Sequence, residues 1–209
     1  MRVPVVLVLD VTAKVALGAL LVHAVANPTL PQYADKAMTG RAVVYPFAVL
    51  VLPAAWAAVA RHRLRFPAGA DFLITLPFLV DAAGNALDLY DSIEWWDDLN
   101  HFGNWILLTG GVMALTAPLR LAPWNRAALG IGFAAAAAIA WEVMEFVTFI
   151  PNSPEAATAY EDTLGDLVLG TLGGAVAAVV GAFLIRRREA RAAATNGPGG
   201  KARASRPDS

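Results

Sequence analysis

LGDLVLGTLGGAVAAVVGAFLIRRR, residues 164–188, decides the fold class. Residues 167–185 carry no charge, and Arg186, Arg187 and Arg188 close the run. A helix needs about 20 mostly apolar residues to cross a hydrocarbon core roughly 30 Å thick. Lys and Arg gather on the cytoplasmic side of such helices. The stretch therefore reads as a transmembrane helix with its C-terminal end inside. Gly170 and Gly174, extended by Ala177 or Ala178 and Gly181, recur at helical spacing, which marks a packing surface rather than a catalytic one.

Working outward, five further runs of this kind lie at 3–26, 42–60, 72–90, 99–117 and 127–150, with the quoted one counted over 164–185. The expected fold is an all-α polytopic bundle of six transmembrane helices, one domain over residues 1–185. Composition agrees: 57% of the 209 residues are hydrophobic and the mean hydropathy is +0.54, above the roughly 45–50% apolar usage of soluble domains. Connectors carry turn chemistry at Asn27-Pro28, at 67–69, at 122–125 and at Pro151-Asn152-Ser153-Pro154. Residues 186–209, rich in Arg, Ala, Gly and Ser, read as a disordered basic cytoplasmic tail. There is no cysteine, which excludes disulfides, thiolate metal sites and cysteine nucleophiles.

Six spans place 13 of the 16 Lys and Arg residues on one side, among them Arg2, Arg61, Arg63, Arg65, Arg120, Arg126 and the tail, against Lys36 and Arg41 on the other. Both termini are thus expected in the cytoplasm of a cell whose inner membrane holds the chain. Arg2, the first apolar run and Ala24-Val25-Ala26 also resemble a cleavable secretory signal. Asp10 and Lys14 argue for a retained helix, because charges do not suit a signal's apolar core whereas at i, i+4 they pair along one face.

The acids collect at the outer level. On the third run Asp81, Asn85 and Asp88 span an arc of about 60°. On the fourth, Asp97 or Asp98 shares a face with His101; on the fifth Glu142 and Glu145 are i, i+3; on the sixth Asp162 and Asp166 are i, i+4. Asp81 and Glu142 fall roughly 14 and 12 Å below the outer helix ends. An acid at that depth costs about 2.5–3.5 kcal/mol, so these side chains are expected inward, around an acid-lined pocket open to the outside. The inner halves of runs three to six read as apolar and offer no cation, and Lys14 already has Asp10. Raised pKa values with shared protons, or a bound divalent cation, are the two ways to neutralise the cluster. Carboxylates with His101 suit Mg, Mn, Ca or Zn. The candidate metal ligands are Asp81, Asp88, Asp98, His101, Glu142, Glu145, Asp162 and Asp166, and the candidate acid/base groups Glu142, Glu145, Asp81 and His101.

Plainer roles stand beside these. Asp91, Glu94, Asp97, Glu155 and Glu161 read as solvated connector residues; Asp98 and Asp162 also suit helix N-caps. His101 also suits an interhelical hydrogen bond. Tyr90, Trp95, Trp96 and Tyr160 suit an interfacial aromatic belt, while Trp141 lies deeper, beside Glu142.

HExxH, the phosphate-binding GxxxxGK, GxSxG and a usable dinucleotide fingerprint are all missing. An echo at an offset of 64 pairs Asp81 with Glu145, Asp97 with Glu161, Asp98 with Asp162 and Gly110 with Gly174. Residues 72–118 and 127–185 thus read as duplicated hairpins. WDDLNHFGNW, WEVMEF and YEDTLGDLVLGTLGG, within Asp81 to Gly174, resemble the small bacterial membrane proteins of the YjdF-like and VanZ-like kind. The chain departs from the VanZ-like pattern where LVLGTLGG lacks an Asn after the last Asp. The resemblance implies a polytopic membrane protein with an acidic functional motif, with glycopeptide resistance attached to VanZ relatives, and supplies no reaction.

Three functions fit. The first is a cation-dependent site acting on a lipid-linked or amphiphilic substrate at the outer face. The second is a proton- or cation-coupled carrier with Asp10 and Lys14 as an inner gate. The third is a non-catalytic accessory protein whose acidic cup holds a cationic ligand, while the basic tail meets anionic lipid. Nothing points to nucleic acid.

Overall fold

A computed structural model of the chain describes residues 4–148 and 157–196, and their regular structure is helical. The elements are α1 (Val5–Ala26), α2 (Met38–Ala55), α3 (Ala68–Ala86), α4 (Leu89–Ser92), α5 (Trp96–Leu115), α6 (Pro123–Thr148) and α7 (Ala159–Asn196). A π-helical turn, Trp56–Ala60, lengthens α2 beyond Pro53. Its wider winding follows a proline that can give no backbone N–H to the helix.

Six long helices thus stand where six runs were expected, but all except α1 begin about a turn earlier, and α2, α3 and α5 thereby take in charges that the runs leave outside. Their first turns contain Arg41, Asp71, and Asp97 with Asp98. Hydropathy assigns such residues to loops. They are helical here because partners on neighbouring helices satisfy several of these charges.

Among the described residues, four helices are long and apolar enough to cross a membrane: α1, α2 with its π turn, α6 and α7. The other two long helices, α3 and α5, are the polar ones, and they lie at the centre of the packing order. Helix α1 packs on α3, α3 on α5, α5 on α7 and α7 on α6, with α2 against α1 and α3. Asp71, Thr75, Asp81 and Asn85 of α3 are buried, as are Asn100, His101 and Thr109 of α5. Large apolar side chains instead face outward, with Phe47 76% and Val147 73% exposed. Such a distribution is stable only where the surrounding solvent is hydrocarbon.

The small-residue face of α7 makes the junction. A Cβ on Gly173 would collide with the Phe102 carbonyl oxygen of α5, and one on Gly174 with the Ala134 methyl of α6. Backbone thus meets backbone at close range, as the spacing predicts.

The tail departs from expectation. Residues 186–196, expected as the start of a disordered segment, continue α7 as helix; the rest of the expected tail, 197–209, lies outside the described residues, as do Pro151–Pro154 and Glu155. Ala, Arg and Glu are strong helix formers, and extending an existing helix carries no nucleation cost. Arg126, only 1% exposed, anchors the extension. It donates to the carbonyl of Thr116, to Thr116 Oγ1 at 3.2 Å and to the carbonyl of Leu119 at 2.9 Å, and pairs with Glu189 at 3.2 Å. A residue read from the sequence as a loop charge is therefore a buried clamp on the end of α5.

Candidate functional site

Ala37 adopts a left-handed conformation (φ 49°) and starts α2, a backbone state that costs a non-glycine residue of order 1 kcal/mol or more. One turn later Arg41 enters the space between α3 and α6. Its Nη1 lies 2.9 Å from each carboxylate oxygen of Asp81, and its Nη2 lies 3.6 Å from Glu145. Tyr45 donates to Asp81 Oδ2 at 2.6 Å, Tyr90 to Oδ1 at 2.9 Å, and Asn85 to the Asp81 carbonyl at 2.9 Å.

The expectation that no cation reaches the acids is thereby corrected: none comes from the third to sixth spans, but α2 supplies Arg41, read as an outer loop charge. Asp81 is brought to the site with both oxygens already accepting bonds, the state of a structural carboxylate rather than of a free ligand. The echoed pair Asp81 and Glu145 meets on this one guanidinium.

His101 forms the second focus. Its Nε2 lies 3.7 Å from Asp97 and 3.6 Å from Asp166, and its Nδ1 lies 3.8 Å from Glu142. These gaps exceed a hydrogen bond. Two ligand atoms bound tetrahedrally at about 2.1 Å stand roughly 3.4 Å apart, so the spacing is close to that of a shared cation. Among the described residues, two triads have all their ligand atoms within 4.8 Å, Asp97–His101–Asp166 and His101–Glu142–Glu145, and both use the same imidazole.

Between the two foci lies a cavity of about 270 Å³. Phe78, Trp105, Leu108 and Trp141 give it apolar walls; Asn100, Asn104, Asp97 and Asp166 give polar ones; Asp35, Lys36, Asp91 and Asp162 stand at its rim. Asn104 donates to Asn100 Oδ1 at 3.0 Å. Lys36 and Asp91 pair at 2.5 Å across the rim, and that hydrogen bond holds the Asp91 carboxyl below its ordinary value. A carboxylate with a lowered folded pKa contributes stability at neutral pH and loses it as pH falls through that pKa. With Asp91 55% exposed the contribution is small. Burial, followed by the Asp81 charge, raises the Tyr90 phenol well above its ordinary value, so it stays a hydrogen-bond donor.

Of the residues expected at the site, His101, Glu142, Glu145 and Asp166 converge, Asp162 reaches the rim, and two do not arrive. Asp88 fails because α3 ends at Ala86; Asp88 turns left-handed (φ 57°), its side chain is exposed and its carbonyl accepts Ser92 Oγ at 2.6 Å. Asp98 is exposed, and Asp97, read as a connector residue, takes the His101 face one full turn away. Asp98 and Asp162 are not N-caps either, since α5 starts at Trp96 and α7 at Ala159.

A further polar group sits at the opposite, basic end. Lys14 donates to Asp10, to Asp71 Oδ2 at 2.7 Å and to Thr75 Oγ1 at 2.9 Å. The inner half of α3, expected to be apolar, thus carries the buried polar residues Asp71 and Thr75. Asp71 lay one residue outside the apolar run, and only its i, i+4 relation to Thr75 hinted at a polar face.

Among known families, that of a predicted membrane protein, DUF2238, matches residues 11–187. No curated protein and no solved structure matches. The match runs from within α1 to α7. It takes in both helices that the YjdF-like and VanZ-like resemblance left out, and singles out neither of those two groups. The chain belongs to the DUF2238 family and is a multi-pass membrane protein.

Proposed function

For this member of the DUF2238 family, we propose a six-span protein of the cytoplasmic membrane, both termini inside. In this reading it holds a divalent cation in an outward-facing acidic cavity and acts there on a lipid-linked or other amphiphilic substrate. The observation that carries this is His101, set among carboxylates of α5, α6 and α7 at 3.6–3.8 Å.

A neutral imidazole has one lone pair, so it ligates through one nitrogen and donates from the other. Arg41 already engages Glu145 and Asp81. That favours the Nε2 side: Asp97, His101 and Asp166 as ligands, Asp162 within reach at the rim, and Glu142 accepting the Nδ1 proton to orient the ring. Bound there, a cation polarises a phosphoryl or carbonyl oxygen or activates a water. The walls of Phe78, Trp105, Leu108 and Trp141 suit the apolar part of an amphiphile.

Two measurements test this. Reporters fused after Arg63, Trp124 and Ser209 are expected to read cytoplasmic, and those after Asp35, Glu94 and Ser153 external; a cytoplasmic signal at Glu94 overturns the outward-facing cavity. A cation at 100 times its dissociation constant stabilises a binding-competent fold by about 2.7 kcal/mol, so the Tm of the purified protein is expected to rise with one of Mg, Mn, Ca or Zn. A Tm indifferent to all four removes the cation from the reading.

The carrier alternative gains the Lys14 group at the basic end. Phe78 and Leu79, which follow Thr75 on α3, pack on an apolar cluster of Leu17, Leu21, Tyr45, Val49 and Ala82, which favours a cavity closed on that side.

A further inference from the structure

We propose that Asp10, Lys14, Asp71 and Thr75 form a proton-binding site at the basic end of the bundle, separate from the outer cavity. The proton is bound at Asp71, whose buried Oδ1 has no hydrogen-bond partner among the described residues.

The charges do not balance without it. Asp10 and Asp71 are buried, Asp71 completely, and one ammonium serves both. Fully ionised, the group carries one net negative charge between two membrane-embedded helices, which is strongly unfavourable. Among the described residues, Lys14 is the cation that pairs with either carboxylate. Helix α2 has no titratable side chain between Tyr45 and Arg61, α5 none after His101, and α3 none between Asp71 and Asp81. Lys14 and Asp10 are the charged groups that act on Asp71.

The arrangement selects a proton over a metal ion. The Lys14 ammonium already occupies the position between Asp10, Asp71 Oδ2 and Thr75 Oγ1. Thr75 itself donates to the Asp71 carbonyl at 2.9 Å. One carboxylate oxygen, Asp71 Oδ1, is buried with no hydrogen-bond partner among the described residues. A hard cation needs about six oxygens; a proton needs one. Binding is then a simple addition: a proton from solution joins a carboxylate oxygen, giving a neutral carboxylic acid beside a Lys–Asp ion pair.

The location says which solution supplies it. Asp10 and Asp71 lie roughly 8 and 5 Å from the starts of their helices, and Thr75 is about 9 Å along α3 from Asp81. Phe78 and Leu79, which lie in that interval, pack on the apolar cluster of Leu17, Leu21, Tyr45 and Val49. Exchange therefore runs to the basic end, which is cytoplasmic in the topology proposed above, and the site responds to the pH of that compartment.

Infrared spectroscopy of the full chain in lipid nanodiscs near neutral pH tests the assignment, because protonated carboxyls and carboxylates absorb separately and the outer acids cancel in difference spectra. Asp71→Asn leaves Asp10 paired with Lys14, and Asp10→Asn leaves Asp71 paired with it. Each variant is expected to lose one protonated carboxyl and no carboxylate, while Lys14→Met gains one protonated carboxyl. Loss of a carboxylate in either Asn variant overturns the proposal, as does a protonated band that sodium removes. If one Asn variant fails to fold, the other gives the same count.

Discussion

Arg41→Ala is expected to be the most destabilising single substitution at the cavity, costing about 3–5 kcal/mol, because removing one partner of a buried ion pair strands the other. Here it strands two. Asp81 keeps the Tyr45 and Tyr90 hydroxyls, yet those are neutral donors, and Glu145 loses the cation 3.6 Å away. Arg41→Lys is expected to recover only part of the loss, since a single ammonium cannot span Asp81 and reach Glu145 as a guanidinium does. Asp81→Asn in the Arg41→Ala background removes the stranded charge and is expected to return most of the stability. Reversible unfolding in mixed micelles measures all three. A cost below about 1 kcal/mol for Arg41→Ala, the range of an exposed pair, means that Arg41 does not neutralise these acids.

Glu142→Gln is expected to weaken divalent-cation binding about 10- to 100-fold, the usual effect of losing a carboxylate that orients a metal-bound histidine. Folding should survive, because Gln matches Glu in size and still accepts a hydrogen bond. Glu145→Gln is expected to leave cation affinity within about twofold, since Arg41 holds that carboxylate out of the ligand set; its cost appears in stability instead. From sequence the two residues are equivalent, sharing one helix face at i, i+3. The structure separates them by their partners, His101 for Glu142 and Arg41 for Glu145. Isothermal titration of the two purified variants reads the difference. Equal losses of affinity contradict the division of labour, and a larger loss for Glu145→Gln reverses it.

The membrane class, the six long helices and the gathering of acids at one level are legible in the sequence because each rests on a long-range average, of hydropathy or of charge. His101, Glu142 and Asp166 are legible because an ionisable group inside an apolar run must face inward. What escapes is pairing. Arg41 looks like a loop charge until its guanidinium is seen on Asp81, and Asp71 looks like a helix start until Lys14 reaches it across from α1. Boundaries cause part of the rest: ending α3 four residues early turns Asp88 away, and starting α5 three residues early brings both Asp97 and Asp98 into the helix, where Asp97, at i, i+4, is the one that faces His101. The helical continuation to Asn196 escapes for another reason. A composition too polar for a core still extends a helix already formed, and Arg126 gives it a dock at Glu189.

Whether the cavity holds a divalent cation is decided by equilibrium binding, counted per chain. Purified protein in nanodiscs would be dialysed against Mn or Zn, separated from free metal and assayed for metal content beside His101→Ala. About one ion per chain is expected to be bound tightly in the native protein and none in the variant. No bound ion in the native protein, or equal occupancy in both, contradicts a cation held at His101.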